Sequence, residues 1–184
     1  MAIKLVGIFV GSLRKESFNR KIANYLLTVV PNGYEFKWMT FDDLPFYNED
    51  LEANDTPISY VKFREEVKLL DAALFITPEY NRSVPAVLKN AIDVASRPYG
   101  KNVWNGKPAG IISSSIGAIS GFGANHHLRQ SLVFVNMPTM AQPEAYLGNV
   151  SELFDKDGKL INEDTKKFLQ EYLKAFTEWV EKFA

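Results

Sequence analysis

Two hydrophobic periods alternate along this chain. Ile3, Leu5, Val6, Ile8, Phe9 and Val10 form a nearly continuous apolar run, the pattern of a parallel strand buried on both faces. The period then changes. Phe18, Ile22, Tyr25, Leu26 and Val29 fall at i, i+4, i+7, i+8 and i+11, on one face of a helix that starts near Ser17, a good N-cap. Pro31-Asn32-Gly33 reads as a turn, and Tyr34, Phe36, Trp38 and Met39 predict a second strand. The stretch from Asp42 to Asp55, acidic and broken by Pro45, predicts a solvated loop. Tyr60, Phe63, Val67 and Leu70 mark a second amphipathic helix, Ala72 to Thr77 a third strand, Ala86 to Ala95 a third helix and Ala109 to Ser113 a fourth strand. A helix carrying Leu128, Leu132 and Val135 follows, and a fifth strand lies within Met137 to Tyr146. Thr165 to Phe183 is the last helix, with Leu169, Tyr172, Leu173, Phe176, Val180 and Phe183 on its buried face. Before it, Asp155-Lys156-Asp157-Gly158 resembles the start of a calcium loop, but its Gly comes too early and position twelve is Lys166. A tight turn between Phe154 and Leu160 is expected instead. Such alternation of strand and helix implies α/β architecture: a doubly wound five-stranded parallel sheet with helices on both faces.

In such sheets a ligand sits at the carboxyl ends of the strands, where the strand order reverses. The loop after the first strand, Gly11-Ser12-Leu13-Arg14-Lys15-Glu16-Ser17-Phe18-Asn19-Arg20, reads as a phosphate cradle at a helix amino end. Ser12, Ser17 and Asn19 add short polar groups, and Arg14 adds a charge able to grip phosphate oxygens bidentately. The alternative is a plain turn, with Ser17 capping a helix and Arg14 solvated. It is not a Walker A loop, since Gly106-Lys107 runs into Pro108, and Gly117 through Gly123 lacks the G-x-G-x-x-G spacing. The Pro78-to-Pro85 stretch ends the third strand, and Ser114, Ser115 and Gly117 follow the fourth. No G-x-S-x-G elbow accompanies those serines, so ligand binding or helix capping is expected of them. The three stretches converge on one strand-end site.

With 184 residues and 46% apolar content, the chain suits one well-buried domain and is short for two. Its 21 basic and 22 acidic residues are interspersed, so no basic face points to nucleic acid or an anionic membrane. The lack of cysteine removes disulfides, thiolate nucleophiles, iron–sulfur clusters and thiolate zinc sites. Two adjacent histidines are too few for a metal site. With no signal peptide and no apolar run near about 20 residues, a soluble, cytoplasmic protein is expected.

The strand-ending G-S-L-R-x-x-S-x-N, the P-E-Y-N-x-S-x-P-x-x-L-K-N-A-I-D run of residues 78 to 93 and the S-S-x-G of residues 114 to 117 resemble the NAD(P)H-dependent FMN reductase family. The resemblance covers nearly the whole length and is closest to the azo, quinone and chromate reductases. It implies a flavodoxin-like fold over residues 1–184 and FMN held without a covalent bond. Ser12, Arg14, Ser17, Phe18 and Asn19 would surround the phosphate; Pro78, Glu79, Tyr80 and Asn81 would contact the isoalloxazine; Ser114 and Gly117 would close its other side. A flavin needs donors near N1, O2 and N5, which loop N–H groups at strand ends provide, and Tyr80 supplies an aromatic wall. Glu79 is either a catalytic base or a residue whose side chain points outward while its backbone binds, the second being favoured. The cofactor carries the chemistry, so no catalytic side chain is named.

The implied activity is hydride transfer from NADPH or NADH to FMN and onward to a quinone, azo compound or another flavin. The alternative is a flavodoxin-like electron carrier without turnover of its own, a type that tends to be acidic, unlike this near-neutral chain. A homodimer or homotetramer is expected, because Ala86, Val87, Leu88, Ala91, Ile92, Val94 and Ala95 make a wide apolar surface. Phe46 and Tyr47 would add aromatic contacts to that interface. His126, Arg129 and Glu144 are candidates for a polar network between dimers, the alternative being that both histidines simply occupy the helix surface.

Overall fold

A computed structural model describes residues 3–183. The chain runs through β1 (Lys4–Val10), α1 (Phe18–Leu27), β2 (Tyr34–Trp38), α2 (Glu49–Asn54), α3 (Ile58–Lys68), β3 (Ala72–Pro78) and α4 (Ala86–Ala95). It continues through β4 (Ala109–Ser114), α5 (Phe122–Phe134), β5 (Ala145–Leu147), a 3-10 helix (Val150–Leu153) and α6 (Glu163–Glu181). Among the described residues, five strands form one parallel sheet in the order β2-β1-β3-β4-β5. This is the flavodoxin-like arrangement, and its order reverses between β1 and β3.

Side chains alternate along each strand, so β1 feeds both faces of the sheet. Val6, Ile8 and Val10 pack with Ile22 and Leu26 of α1 and with Leu169, Leu173 and Phe176 of α6. Phe9 joins the opposite layer, which α3, α4 and α5 cover. There it lies 5.1 Å from the Phe75 ring and 5.3 Å from that of Trp104. Trp104 is fully buried, and its Nε1 donates to the Ile92 carbonyl at 3.0 Å, so no donor is stranded. Gly7 leaves room for this layer: a Cβ there would lie 2.5 Å from Leu70 Cδ1 and 2.8 Å from Phe9 Cε2.

Several expectations need correction. The acidic stretch is not all loop, since α2 forms within it, capped by Asn48 Oδ1 accepting from the Asp50 N–H at 3.0 Å. Acidic residues in its first turn favour the helix dipole. Glu52 is not solvated either, for it pairs with Arg64 at 2.8 Å in a nearly buried contact. The fifth strand is only the short β5, overlapping the end of the expected window. The Met137–Met140 region touches the start of β4 separately: the Ala109 N–H donates to Pro138 O and the Met140 N–H to Ala109 O. Pro138 and Pro143 lack the N–H a continuous strand needs there. Helix α6 begins earlier than expected, at an N-cap on Asn162, and Phe183 lies exposed beyond its end. The Phe154–Leu160 turn is present as an antiparallel bridge, with Asp155 Oδ1 accepting from the Asp157 and Lys159 N–H groups. Finally, Leu88, Ala91, Ile92, Val94 and Ala95 of α4 are buried within one chain, so of the wide apolar surface only Ala86, exposed, and Val87, half-buried, are left for a partner.

Candidate functional site

The carboxyl ends of β1, β3 and β4 meet where the strand order reverses. Gly11 extends the ladder, its N–H donating to the Ile76 carbonyl at 2.9 Å. A Cβ on it would come within 3.1 to 3.3 Å of Thr77, Leu88 and Pro78, so glycine lets the loop leave the sheet this close to its neighbours. Among the described residues, the backbone N–H groups from Ser12 to Glu16 donate to no protein acceptor. The Ser17 N–H closes the loop on the Arg14 carbonyl at 3.2 Å, and Ser17 Oγ caps α1 by accepting from the Asn19 N–H at 3.2 Å. Unused donors and the positive end of α1 therefore lie together.

A cavity of about 170 Å³ opens there, lined by Ser12, Arg14, Ser17, Phe18, Asn19, Pro78, Glu79, Tyr80 and Ser114. Asn19 Oδ1 accepts from Ser114 Oγ at 3.1 Å, tying the start of α1 to the end of β4. The Phe18 ring stacks on Phe154 at 5.8 Å, so its side chain anchors the helix start in the core. Arg14 is exposed and, among the described residues, forms no ion pair.

Two expected residues lie off the lining. Asn81, with Arg82, forms the tip of a tight turn with φ of 50° and 66°, closed by reciprocal backbone bonds between Tyr80 and Ser83. Its side chain is exposed because such a turn carries its central residues outward. Gly117 gives its N–H to Ser115 Oγ at 3.1 Å, and Ser115, Ile116 and Val150 line the cavity in its place. Glu79 does not point outward. Its Oε2 accepts from the Ala124 N–H at 3.1 Å, and its Oε1 lies 3.3 Å from Arg82 Nη1.

Arg14 and Tyr80 also border an adjoining apolar cavity of about 440 Å³, formed with Leu13, Leu44, Phe46, Val87 and others. Its outer loop is held in place by α3 and α4. Asn90 Oδ1 accepts from the Tyr47 N–H at 2.8 Å, Asn90 Nδ2 donates to Pro45 O at 2.9 Å, and Tyr60 Oη donates to Phe46 O at 2.9 Å. Phe46 is left 75% exposed at the rim. Sequence reasoning missed this compartment; its one signal was Asn90, a polar residue among the apolar positions of a helix. A larger, open cavity of about 650 Å³ lies between α4 and α5, away from the strand ends, with its Lys89 paired with Asp93 at 2.7 Å. Beyond it, His126 Nε2 lies 3.1 Å from Tyr146 Oη, and Arg129 sits 3.8 Å from Glu144, so these groups already have partners within one chain. Burial, then the Glu144 carboxylate, pushes the Tyr146 phenol up to about 12.

The sequence profile of the family described as NADPH-dependent FMN reductase matches residues 3–152. The chain belongs to this family. It is 55% identical over 175 residues to a quinone reductase of Pseudomonas putida, covering 95% of this chain and 94% of the relative. A 2-hydroxy-1,4-benzoquinone reductase of a Burkholderia species is 41% identical over 180 residues, covering 98% and 97% of the two chains. Among solved structures, FerB, a flavoenzyme NAD(P)H:(acceptor) oxidoreductase from Paracoccus denitrificans, superposes with a TM-score of 0.91 at 44% identity, covering 98% of this chain and 99% of FerB. The strand-end cleft is thus read within a family of flavin-linked reductases.

Proposed function

We propose that this protein is an FMN-dependent oxidoreductase that uses NADPH or NADH to reduce quinones, with azo compounds and free flavins as further acceptors. The observation that carries this reading is the division of one strand-end cleft into a polar compartment and an apolar compartment that meet at Arg14 and Tyr80. The polar side suits a phosphate: the hydroxyls of Ser12 and Ser17, the amino end of α1, and backbone N–H groups and the Arg14 guanidinium that have no partner among the described residues surround it. In this reading those groups, with Asn19 and the Phe18 backbone, hold the FMN phosphate. Pro78, Glu79, Tyr80 and the Asn81 backbone flank the isoalloxazine, and Ser114 with the Ser115-to-Gly117 segment closes the other side.

Bound FMN would supply the redox chemistry of hydride and electron transfer. The chain positions and shields. Backbone donors at the strand ends favour negative charge on the ring edge, Tyr80 walls the space beside it, and Leu13, Leu44, Phe46 and Val87 exclude water where a flat acceptor replaces the departed nicotinamide. No side-chain acid or base is required at the transferring atoms. The test is steady-state oxidation of NADPH and of NADH with a quinone acceptor, using protein shown to hold FMN. Turnover with either is expected; failure with both would leave an electron carrier or flavin-binding module.

Self-association as a homodimer or homotetramer belongs to the same proposal, supported by Val133 and Phe134, 70% and 83% exposed at the end of α5. Equilibrium sedimentation of FMN-loaded protein at micromolar concentration tests it, and a mass near one chain would overturn it. Dependence on NAD(P)H, a cosubstrate of the cell interior, supports a cytoplasmic location. Among the described residues, no helix is long and apolar enough to cross a membrane.

A further inference from the structure

Helix α5 cannot cap itself. Its N-cap is Gly121, at φ +75°, a left-handed conformation that suits glycine and leaves no side-chain oxygen for the first-turn N–H groups. The acceptor comes from 45 positions away, where Glu79 Oε2 takes the Ala124 N–H at 3.1 Å. A carboxylate there also meets the positive end of the helix dipole. Its other oxygen lies 3.3 Å from Arg82 Nη1, and the side chain is only 12% exposed. The contact is close-fitting: a Cβ on Gly123 would lie 2.7 Å from the Arg82 carbonyl oxygen and 2.9 Å from Glu79 Oε2. A second tie joins the same partners, with His127 Nδ1 at 2.9 Å from Ser83 Oγ. Arg82 and Ser83 belong to one tight turn with Tyr80, which Glu79 directly precedes in the chain and which borders both compartments of the cleft.

We infer that Glu79 is a positioning residue, whose carboxylate clamps the turn at the end of β3 to the amino end of α5 and so fixes Tyr80 and the turn backbone against the flavin ring. The inference rests on the FMN reading above. A glutamate beside a flavin invites an acid–base role, but both oxygens of Glu79 are engaged by Ala124 and Arg82. Without the clamp the turn keeps its own Tyr80–Ser83 bonds and pivots as a unit, so the loss falls on ring binding before it falls on folding.

The experiment is fluorescence titration of the apoprotein with FMN and with riboflavin, the visible spectrum of the bound flavin, and quinone turnover, with circular dichroism to verify folding. Glu79→Ala is expected to weaken both flavins by about tenfold and by equal factors, because the turn meets the ring and not the phosphate. The bound spectrum should shift. Glu79→Gln, whose amide oxygen still accepts from Ala124, should restore most of the affinity and turnover; a catalytic base would lose turnover in this variant. Gly123→Ala, which presses on the turn from the other side, should reproduce Glu79→Ala. The double variant should be no worse than the weaker-binding single, since both break one contact. Flavin affinity and spectrum unchanged in Glu79→Ala, equal losses in Glu79→Ala and Glu79→Gln, or additive losses in the double variant would each overturn the clamp. Arg14→Ala separates the two readings: if it weakens FMN more than riboflavin while Glu79→Ala weakens neither, the clamp alone fails. An apoprotein that binds no flavin overturns both.

Discussion

Arg14 stands exposed where the polar and apolar compartments meet, with no ion-pair partner among the described residues, so its removal should change ligand binding and little else. Arg14→Ala is expected to weaken FMN by roughly 1.5 to 3 kcal/mol, the worth of a charge-assisted contact, and to leave riboflavin nearly untouched. Equal weakening in a fluorescence titration would place the guanidinium away from the phosphate. Asn19 is different, being nearly buried and bonded to Ser114 Oγ. Asn19→Ala should cost about 1 to 3 kcal/mol in a urea melt of the apoprotein, because a buried hydroxyl loses its acceptor. The sequence put both residues in the loop between an apolar strand and a capped helix, and the structure sets both on the lining of the strand-end cavity. Asn81 and Gly117 were not legible in the same way. A motif places a residue near the site, but the turn's positive φ decides that Asn81 faces away from it.

Elements are joined here by contacts that no periodicity encodes. Arg64 of α3 gives Nε to the Val94 carbonyl at the end of α4 and Nη2 to Glu52 of α2, both at 2.8 Å. Removing Glu52 would leave Arg64, a residue only 8% exposed, without its carboxylate partner. Glu52→Ala is therefore expected to lower stability by about 3 kcal/mol, read as a fall in the urea midpoint at constant slope. Glu52→Gln, which keeps the acceptor oxygen, should cost less. From the sequence this glutamate looked like one more charge in a solvated loop. The same holds for α5, whose first turn carries no capping side chain of its own and is completed by Glu79 from a different layer of the chain.

The packing of the sheet shows in the response to alkali. Burial raises the phenol of Tyr172 above its ordinary value of 10.0, and burial is also the leading cause of the upward shifts at Tyr34, Tyr60 and Tyr146. A raised phenol keeps its proton in the folded chain where the unfolded chain has lost it. That stability is complete below the unfolded value, near about pH 10, and is lost as pH rises through the folded values above it. Lys107, lowered by burial, works in the opposite sense, one group against four. The melting temperature should therefore fall as pH rises above about 10. Tyr172→Phe should fall less steeply, although at neutral pH it forfeits about 1 kcal/mol with its bond to the Ile111 carbonyl. An equal slope in the two proteins would show that Tyr172 does not titrate with unfolding.

Read as a line of residues, the chain already determined its alternating strands and helices, the doubly wound sheet and the loops that would meet at its carboxyl edge. Those properties follow from local periodicity and from handedness rules that hold for any such chain. Tertiary structure alone decided the apolar compartment behind Tyr80, the burial of α4 within one chain, and the attachment of Glu79 to α5. Each depends on groups far apart in sequence, such as Asn90 with Pro45 or Glu79 with Ala124, whose meeting is set by how the layers pack. A hydrogen bond of that kind leaves no period in the sequence, because either partner by itself is only a polar residue at an unremarked position.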